Sequence, residues 1–152
     1  MNLSKNKKNL IFLCSHNDVR SQIAEAFLRK YASDEYNVFS AGFQILKINP
    51  LTYEVMKEVG LNLRNHYSKV IKQLFRKHHF GIAISFCGKD EELCPMIPGI
   101  ATHLTWKIED PSTFQGSKQE KLEKFRETRN KIEAKVTQFL KNENQIPLIS
   151  GF

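Results

Sequence analysis

Leu10-Ile11-Phe12-Leu13 is an unbroken apolar run flanked by polar residues, the pattern of a strand buried on both faces. It ends at Cys14. The chain becomes periodic again at Gln22-Ile23-Ala24-Glu25-Ala26-Phe27-Leu28, which reads as a helix. Val38-Phe39-Ser40-Ala41 predicts a second short strand, ended by Gly42. Asn49-Pro50 predicts a helix start, with Asn as the cap and Pro at the first helical position. Leu51, Val55 and Val59 form the apolar face of that helix, and Gly60 stops it. Ser68 is expected to cap a shorter helix carrying Val70, Ile71, Leu74 and Phe75. Phe80 to Phe86 is apolar enough for a central strand, and Thr102 to Trp106 predicts a fourth. Leu122, Phe125, Arg129, Ile132, Val136 and Phe139 recur at steps of three and four, which predicts a long final helix. Arg129 interrupts that stripe. It either reaches the edge along its alkyl stem or pairs with a carboxylate.

Strands separated by helices predict an α/β fold: one domain over residues 1–152, a four-stranded parallel sheet, and helices on both faces. Residues 1–8 are expected to form a flexible basic arm. Ligands of such sheets bind beyond the carboxyl ends of the strands, at the switch point. Cys14 and Cys87 each directly follow a predicted strand. The two thiols can therefore share one crevice despite their separation in sequence.

Composition narrows the picture. No apolar run approaches the roughly 20 residues that span a bilayer, and the basic start is not followed by a signal-peptide pattern. A cytoplasmic protein with no membrane partner is expected. The net charge is +7, yet no base-stacking motif or zinc-finger spacing accompanies it. The expectation is a basic surface that steers anions, with no nucleic-acid partner. Three cysteines, an odd number, argue against a structural disulfide framework, and no ligand spacing for a metal is present.

The chemistry concentrates in Cys14-Ser15-His16-Asn17-Asp18-Val19-Arg20-Ser21. A loop between a strand and a helix can converge its backbone N–H groups on a tetrahedral anion, and the helix start adds positive potential. Arg20 can hold two anion oxygens with its planar fork. The same field favours the Cys14 thiolate, a nucleophile aimed at phosphorus or arsenic. Two further pieces follow. Cys87 and Cys94 are seven apart, so a helix would separate them by about 10.5 Å along its axis. A disulfide needs Cα atoms about 4.4–6.8 Å apart, so a Cys87–Cys94 bridge requires the segment to unwind. Asp110, ahead of Pro111, stands on a loop after the fourth strand, where it can protonate a leaving oxygen.

Taken together, four stretches resemble the arsenate reductases of the low-molecular-weight tyrosine phosphatase fold, in the thioredoxin-coupled branch. They run from Leu10 to Phe27, Phe39 to Gly60, Ile84 to Gly99 and Trp106 to Ile132. The Cys-x5-Arg-Ser loop and the Asp-Pro pair are shared with the phosphatases, and the paired cysteines mark the reductases. The resemblance implies that Cys14 attacks arsenate. The amides from Ser15 through His16, Asn17, Asp18 and Val19 to Arg20 hold its oxygens, and Ser21 hydrogen-bonds the thiolate. Asp110 protonates the departing oxygen. Cys87 then attacks Cys14 and releases arsenite, and Cys94 attacks Cys87. A thioredoxin-type partner reduces the final disulfide. No bound cofactor is implied, and a monomer is expected.

The sequence departs from the family pattern in places. Val19 stands where many members have another cysteine, and His16 replaces a glycine. Asp18 puts a carboxylate in an anion-binding loop, which weakens binding unless it points to solvent. One branch holds a potassium ion beside the loop, on positions matching Asn17, Glu25 and Ser40. Its fourth ligand is an aspartate, where this chain has Lys69. An ammonium there can replace the ion and support the loop, so no metal is expected. Two other readings stay open: a tyrosine phosphatase with a phospho-Cys14 intermediate, and a non-catalytic redox- or oxyanion-sensing regulator.

Overall fold

The computed structural model describes residues 6–88 and 97–150, with side chains described to residue 143. Of the segment from Cys87 to Pro95 that is expected to unwind, residues 89–95, Cys94 among them, lie outside the described residues. The elements are β1 (Lys8–Cys14), α1 (Arg20–Ala32), β2 (Tyr36–Gly42), α2 (Pro50–Glu58), α3 (Ile71–Lys77), β3 (Ile82–Phe86), β4 (Thr102–Trp106), a 3₁₀ turn at Pro111–Thr113, and α4 (Lys118–Ser150). The strands form one sheet in the order β2-β1-β3-β4, parallel throughout.

The continuous apolar run of β1 follows from this order. β1 has a neighbour on each side and a packed layer on each face. Leu10 and Phe12 join the larger core, with Ile23 and Phe27 of α1, Val55 of α2, and Phe125 and Ile132 of α4. Ile11 and Leu13 point the other way, into a smaller cluster with Phe80 and Ala83, against Ile71 and Leu74 of α3. After β1 the chain goes to β2 on one side, then crosses to β3 on the other. The switch point therefore lies at the carboxyl end of β1, where Cys14 stands.

Several expectations shift. Lys8 is already in β1, opposite Tyr36, and its amide donates to the Glu35 carbonyl at 3.1 Å, so the arm is shorter than eight residues. β3 begins at Ile82 rather than Phe80, because the Phe80 ring turns onto Phe39 and Phe75, at 5.1 and 5.0 Å between centroids. Asn49 caps α2 as expected, its side chain accepting from the Leu51 amide at 2.9 Å, and Gly60 leaves the helix at φ +80°. Ser68 does not cap α3. Val70 holds the cap position in extended backbone, bridged to Gly42. The Ser68 hydroxyl donates instead to the carbonyls of Asn17 and Leu46.

The two options for Arg129 resolve in favour of pairing. It is buried, donating to the Val55 carbonyl at 2.8 Å and to Glu58 Oε1 at 2.7 Å. Arg126 holds the other Glu58 oxygen at 2.8 Å. Together these clamp α4 onto the end of α2. Hydrogen bonds from Arg126 and Arg129 hold the Glu58 carboxyl at about 2, below its ordinary value. Its contribution to stability is thus present above the ordinary carboxylate range and is lost as pH falls toward that value. Glu58 is partly exposed, so water screens much of it. Arg129→Ala strands a buried carbonyl and leaves a gap, and is expected to cost about 2 kcal/mol. Urea unfolding checks this as a lower midpoint at unchanged slope.

Candidate active site

The loop from Cys14 to Arg20 is held from outside by its carbonyls. Ser15 O accepts from the amides of Phe43 and Gln44, at 3.0 and 3.2 Å, and His16 O accepts from Leu46 at 3.4 Å. Asn17 O takes Gln22 Nε2 at 3.1 Å and Ser68 Oγ at 2.9 Å. Asp18 O takes the Asn49 amide at 3.2 Å and Thr52 Oγ1 at 3.1 Å. In a trans peptide the N–H points opposite to the C=O of the same unit. With four successive carbonyls turned outward, the amides of His16, Asn17, Asp18 and Val19 turn toward the concave side. No side chain caps α1, whose cap position is Val19. Gly42 lets β2 end against this loop. A Cβ there would sit 2.8 Å from Asn17 N and 2.9 Å from Cys14 O.

Asn17 is the pivot. Its φ of 56° lies in the left-handed region, which asparagine tolerates better than most residues. Its buried side chain donates to Ser21 Oγ at 2.7 Å and to Ser40 Oγ at 3.0 Å. Its Oδ1 accepts from Gln22 Nε2 at 3.1 Å and from the Lys69 amide at 2.8 Å. An amide nitrogen can only donate, so Ser21 Oγ accepts from Asn17, and its proton stays available to Cys14 Sγ, 2.8 Å away, in a contact where either group can donate. Ser21 is thereby oriented to hydrogen-bond the sulfur.

Cys14 is a free thiol, 2% exposed. Burial pushes it above its ordinary value, and Arg20, the Ser21 hydroxyl and the amides of Ser21 and Asn17 pull it down without cancelling that rise. The expected thiolate field is therefore present, yet dehydration outweighs it. Arg20 is buried, donating to the Ile108 carbonyl at 2.9 Å and standing 3.9 Å from Asp110 Oδ2. Asp110 Oδ1 caps the 3₁₀ turn, accepting from the Ser112 amide at 2.9 Å and the Ser112 hydroxyl at 2.7 Å. One carboxylate oxygen is structural, and the other faces the guanidinium.

Cys87 directly follows β3, the neighbour of β1, with Leu13 opposite Ser85 in the register. It is buried and disulfide-bonded. A Cβ on Gly88 would lie 3.2 Å from the Glu109 Cα, so the Asp110 loop packs against the end of β3. Cys14, Ser21, Arg20 and Asp110 are thus brought together, and Cys87 stands at the carboxyl end of the neighbouring strand. Asp18 is 8% exposed and is not turned to solvent. Asn49 and Thr52 hold its carbonyl and fix how the residue sits.

Beneath the loop, Glu25 Oε1 accepts from Ser40 Oγ at 2.5 Å, and Glu25 Oε2 pairs with Arg29 at 2.9 Å. Lys69 Nζ stands 3.8 Å from Glu25 Oε1, donates to the Tyr67 carbonyl at 2.7 Å and lies 4.7 Å from the centre of the Tyr67 ring. Burial lowers the Lys69 ammonium from its ordinary value, and Glu25 works against that. The four support positions read from the sequence do converge. Sequence reasoning missed Gln22, His66 and Ser68. Gln22 Oε1 meets His66 Nδ1 at 3.0 Å while its amide binds Asn17. It also missed Arg29, which the four-residue step from Glu25 on a helix signals.

This arrangement is a strand–loop–helix turn with a cysteine at its base and a carboxyl beside its arginine. The chain belongs to the low molecular weight phosphotyrosine protein phosphatase family, which it matches over residues 9–146. Within reach of it are arsenate reductases. The one from Halalkalibacterium halodurans is 35% identical over 135 residues, covering 88% of this chain and 96% of that protein. A solved arsenate reductase in a phosphate-binding state superposes with a TM-score of 0.73 at 27% identity, covering 89% and 98% of the two chains. A thioredoxin-dependent arsenate reductase from Corynebacterium glutamicum gives 0.63 at 28% identity, covering 92% of this chain and 63% of that one. Among the described residues, no helix is long and apolar enough to cross a membrane.

Proposed function

We propose that the protein reduces arsenate to arsenite through a thiol–disulfide relay. The observation that carries the reading is the placement of Cys14 and Cys87 at the carboxyl ends of two adjacent parallel strands. The phosphatase reaction has no use for the second thiol. Arsenate is held by the inward amides of the loop and by Arg20. Cys14, oriented by Ser21, passes its proton to an arsenate oxygen and attacks arsenic as the thiolate, and an S–As bond forms as another oxygen leaves. Asp110 protonates that oxygen through the Oδ2 facing Arg20, so water departs. Cys87 as thiolate then attacks the Cys14 sulfur. The S–S bond forms, and the S–As electron pair passes to arsenic, reducing it and releasing arsenite. Cys94 attacks Cys87, frees Cys14, and leaves a Cys87–Cys94 disulfide for an external dithiol. The thioredoxin dependence of the Corynebacterium relative supports a thioredoxin-type reductant. The test is arsenate-dependent NADPH oxidation coupled through thioredoxin and its reductase. Phosphatase turnover without any NADPH oxidation would favour the runner-up reading.

Lys69 belongs to the same proposal as loop support. A potassium ion does not fit here, because an ammonium already faces Glu25 and Asn17 Oδ1 is already taken by Gln22 and the Lys69 amide. Turnover and thermal stability are expected to be unchanged when sodium replaces potassium. Lys69→Asp exchanges the cation for an anion and is expected to make both potassium-dependent. Melting curves in matched salts check this, and strong potassium activation of the wild type would overturn it.

A further inference from the structure

Asp18 lies inside the loop that receives the anion, between Cys14 and Arg20, and is 8% exposed. Its backbone is clamped through its carbonyl by Asn49 and Thr52. Among the described residues it makes no ion pair, for Arg20 is directed to the Ile108 carbonyl and toward Asp110. Among the described residues, three groups bear on it electrostatically: Asp110 from the loop after β4, and His16 and Arg20 from its own loop. The start of α2, packed against it, contributes only the neutral Asn49 and Thr52. Burial and Asp110 push the Asp18 carboxyl above its ordinary value, and His16, its own amide and Arg20 do not offset them.

An oxyanion entering this loop adds negative charge beside a dehydrated carboxylate. Such a carboxylate either repels the anion or takes up a proton. Protonation also converts an acceptor into an O–H donor that can be offered to an anion oxygen. Resting on the oxyanion reading above, we propose that Asp18 takes up one proton from solvent when the anion binds, so that this site favours anion binding at lower pH. The only bond formed is the O–H on the carboxyl. Asp18 then acts as a built-in pH gate on substrate binding.

The sign follows from linkage. Between the Asp18 values of the free and the anion-bound protein, affinity falls by up to about tenfold per pH unit as pH rises. Phosphate's own ionisation acts equally on wild type and variant and cancels in the comparison. The test is calorimetric titration of the reduced protein with inorganic phosphate between about pH 5.5 and pH 8, in two buffers of different ionisation enthalpy. Wild type is expected to take up one more proton per phosphate than Asp18→Asn. The variant is expected to bind phosphate more tightly at the alkaline end, by about tenfold or more, with the gap narrowing as pH falls. Asp18→Ser serves as a second variant if the first does not fold. Equal proton counts with parallel affinity curves would overturn the gate while leaving the oxyanion reading intact. Phosphate that binds neither protein would overturn both.

Discussion

Given arsenate without a reductant, Cys94→Ser protein is expected to release one equivalent of arsenite and stop with Cys14 and Cys87 joined. The first two thiols suffice to make the product once, because arsenic takes its electron pair when Cys87 attacks Cys14. What they cannot do is free Cys14 again. Cys14→Ser should release no arsenite at all, since serine lacks the sulfur that bonds arsenic. Cys87→Ser should stop one step earlier, with arsenic still on Cys14. Peptide mapping under non-reducing conditions distinguishes the three. The proposed relay assigns Cys87 as the partner of Cys14 because both follow adjacent parallel strands at their carboxyl ends. Sustained thioredoxin-coupled turnover by Cys94→Ser would mean that an external thiol attacks Cys14–Cys87 directly, and the relay would be wrong.

Asp110→Asn is expected to slow arsenate turnover by about 10²–10⁴-fold while leaving thioredoxin reduction of the oxidised protein intact. The amide keeps a side-chain oxygen that can cap the 3₁₀ turn through Ser112, so the loop should hold its shape. It removes only the acid on the side facing Arg20. Two assays separate the roles: pre-steady-state arsenite formation for the first step, and reduction by thioredoxin of protein oxidised beforehand. Loss of both activities would point to a folding role instead.

The pattern of apolar positions determined much on its own. The run at Leu10 to Leu13 carried the central strand, because a strand covered on both faces has no polar side to show. The three-and-four spacing from Leu122 to Phe139 carried α4, and Asn49-Pro50 with Gly60 bracketed α2, since caps act through backbone hydrogen bonds within a few residues. The loop from Cys14 to Ser21 was legible for the same local reason: its residues contact one another and the helix they open. What the tertiary structure alone decided involves partners distant in the chain. Ser68 looked like a helix cap, but its hydroxyl goes to the Asn17 and Leu46 carbonyls. Arg129 has a partner on α2 that no spacing encodes. Lys69 meets Glu25 only because the loop before α3 returns to the end of β2. The sequence left open whether Asp18 points to solvent, and it is buried, with its carbonyl held by Asn49 and Thr52 at the start of α2. Whether a charge is paired, dehydrated or solvated depends on surfaces contributed by other elements, and those exist only once the chain has folded.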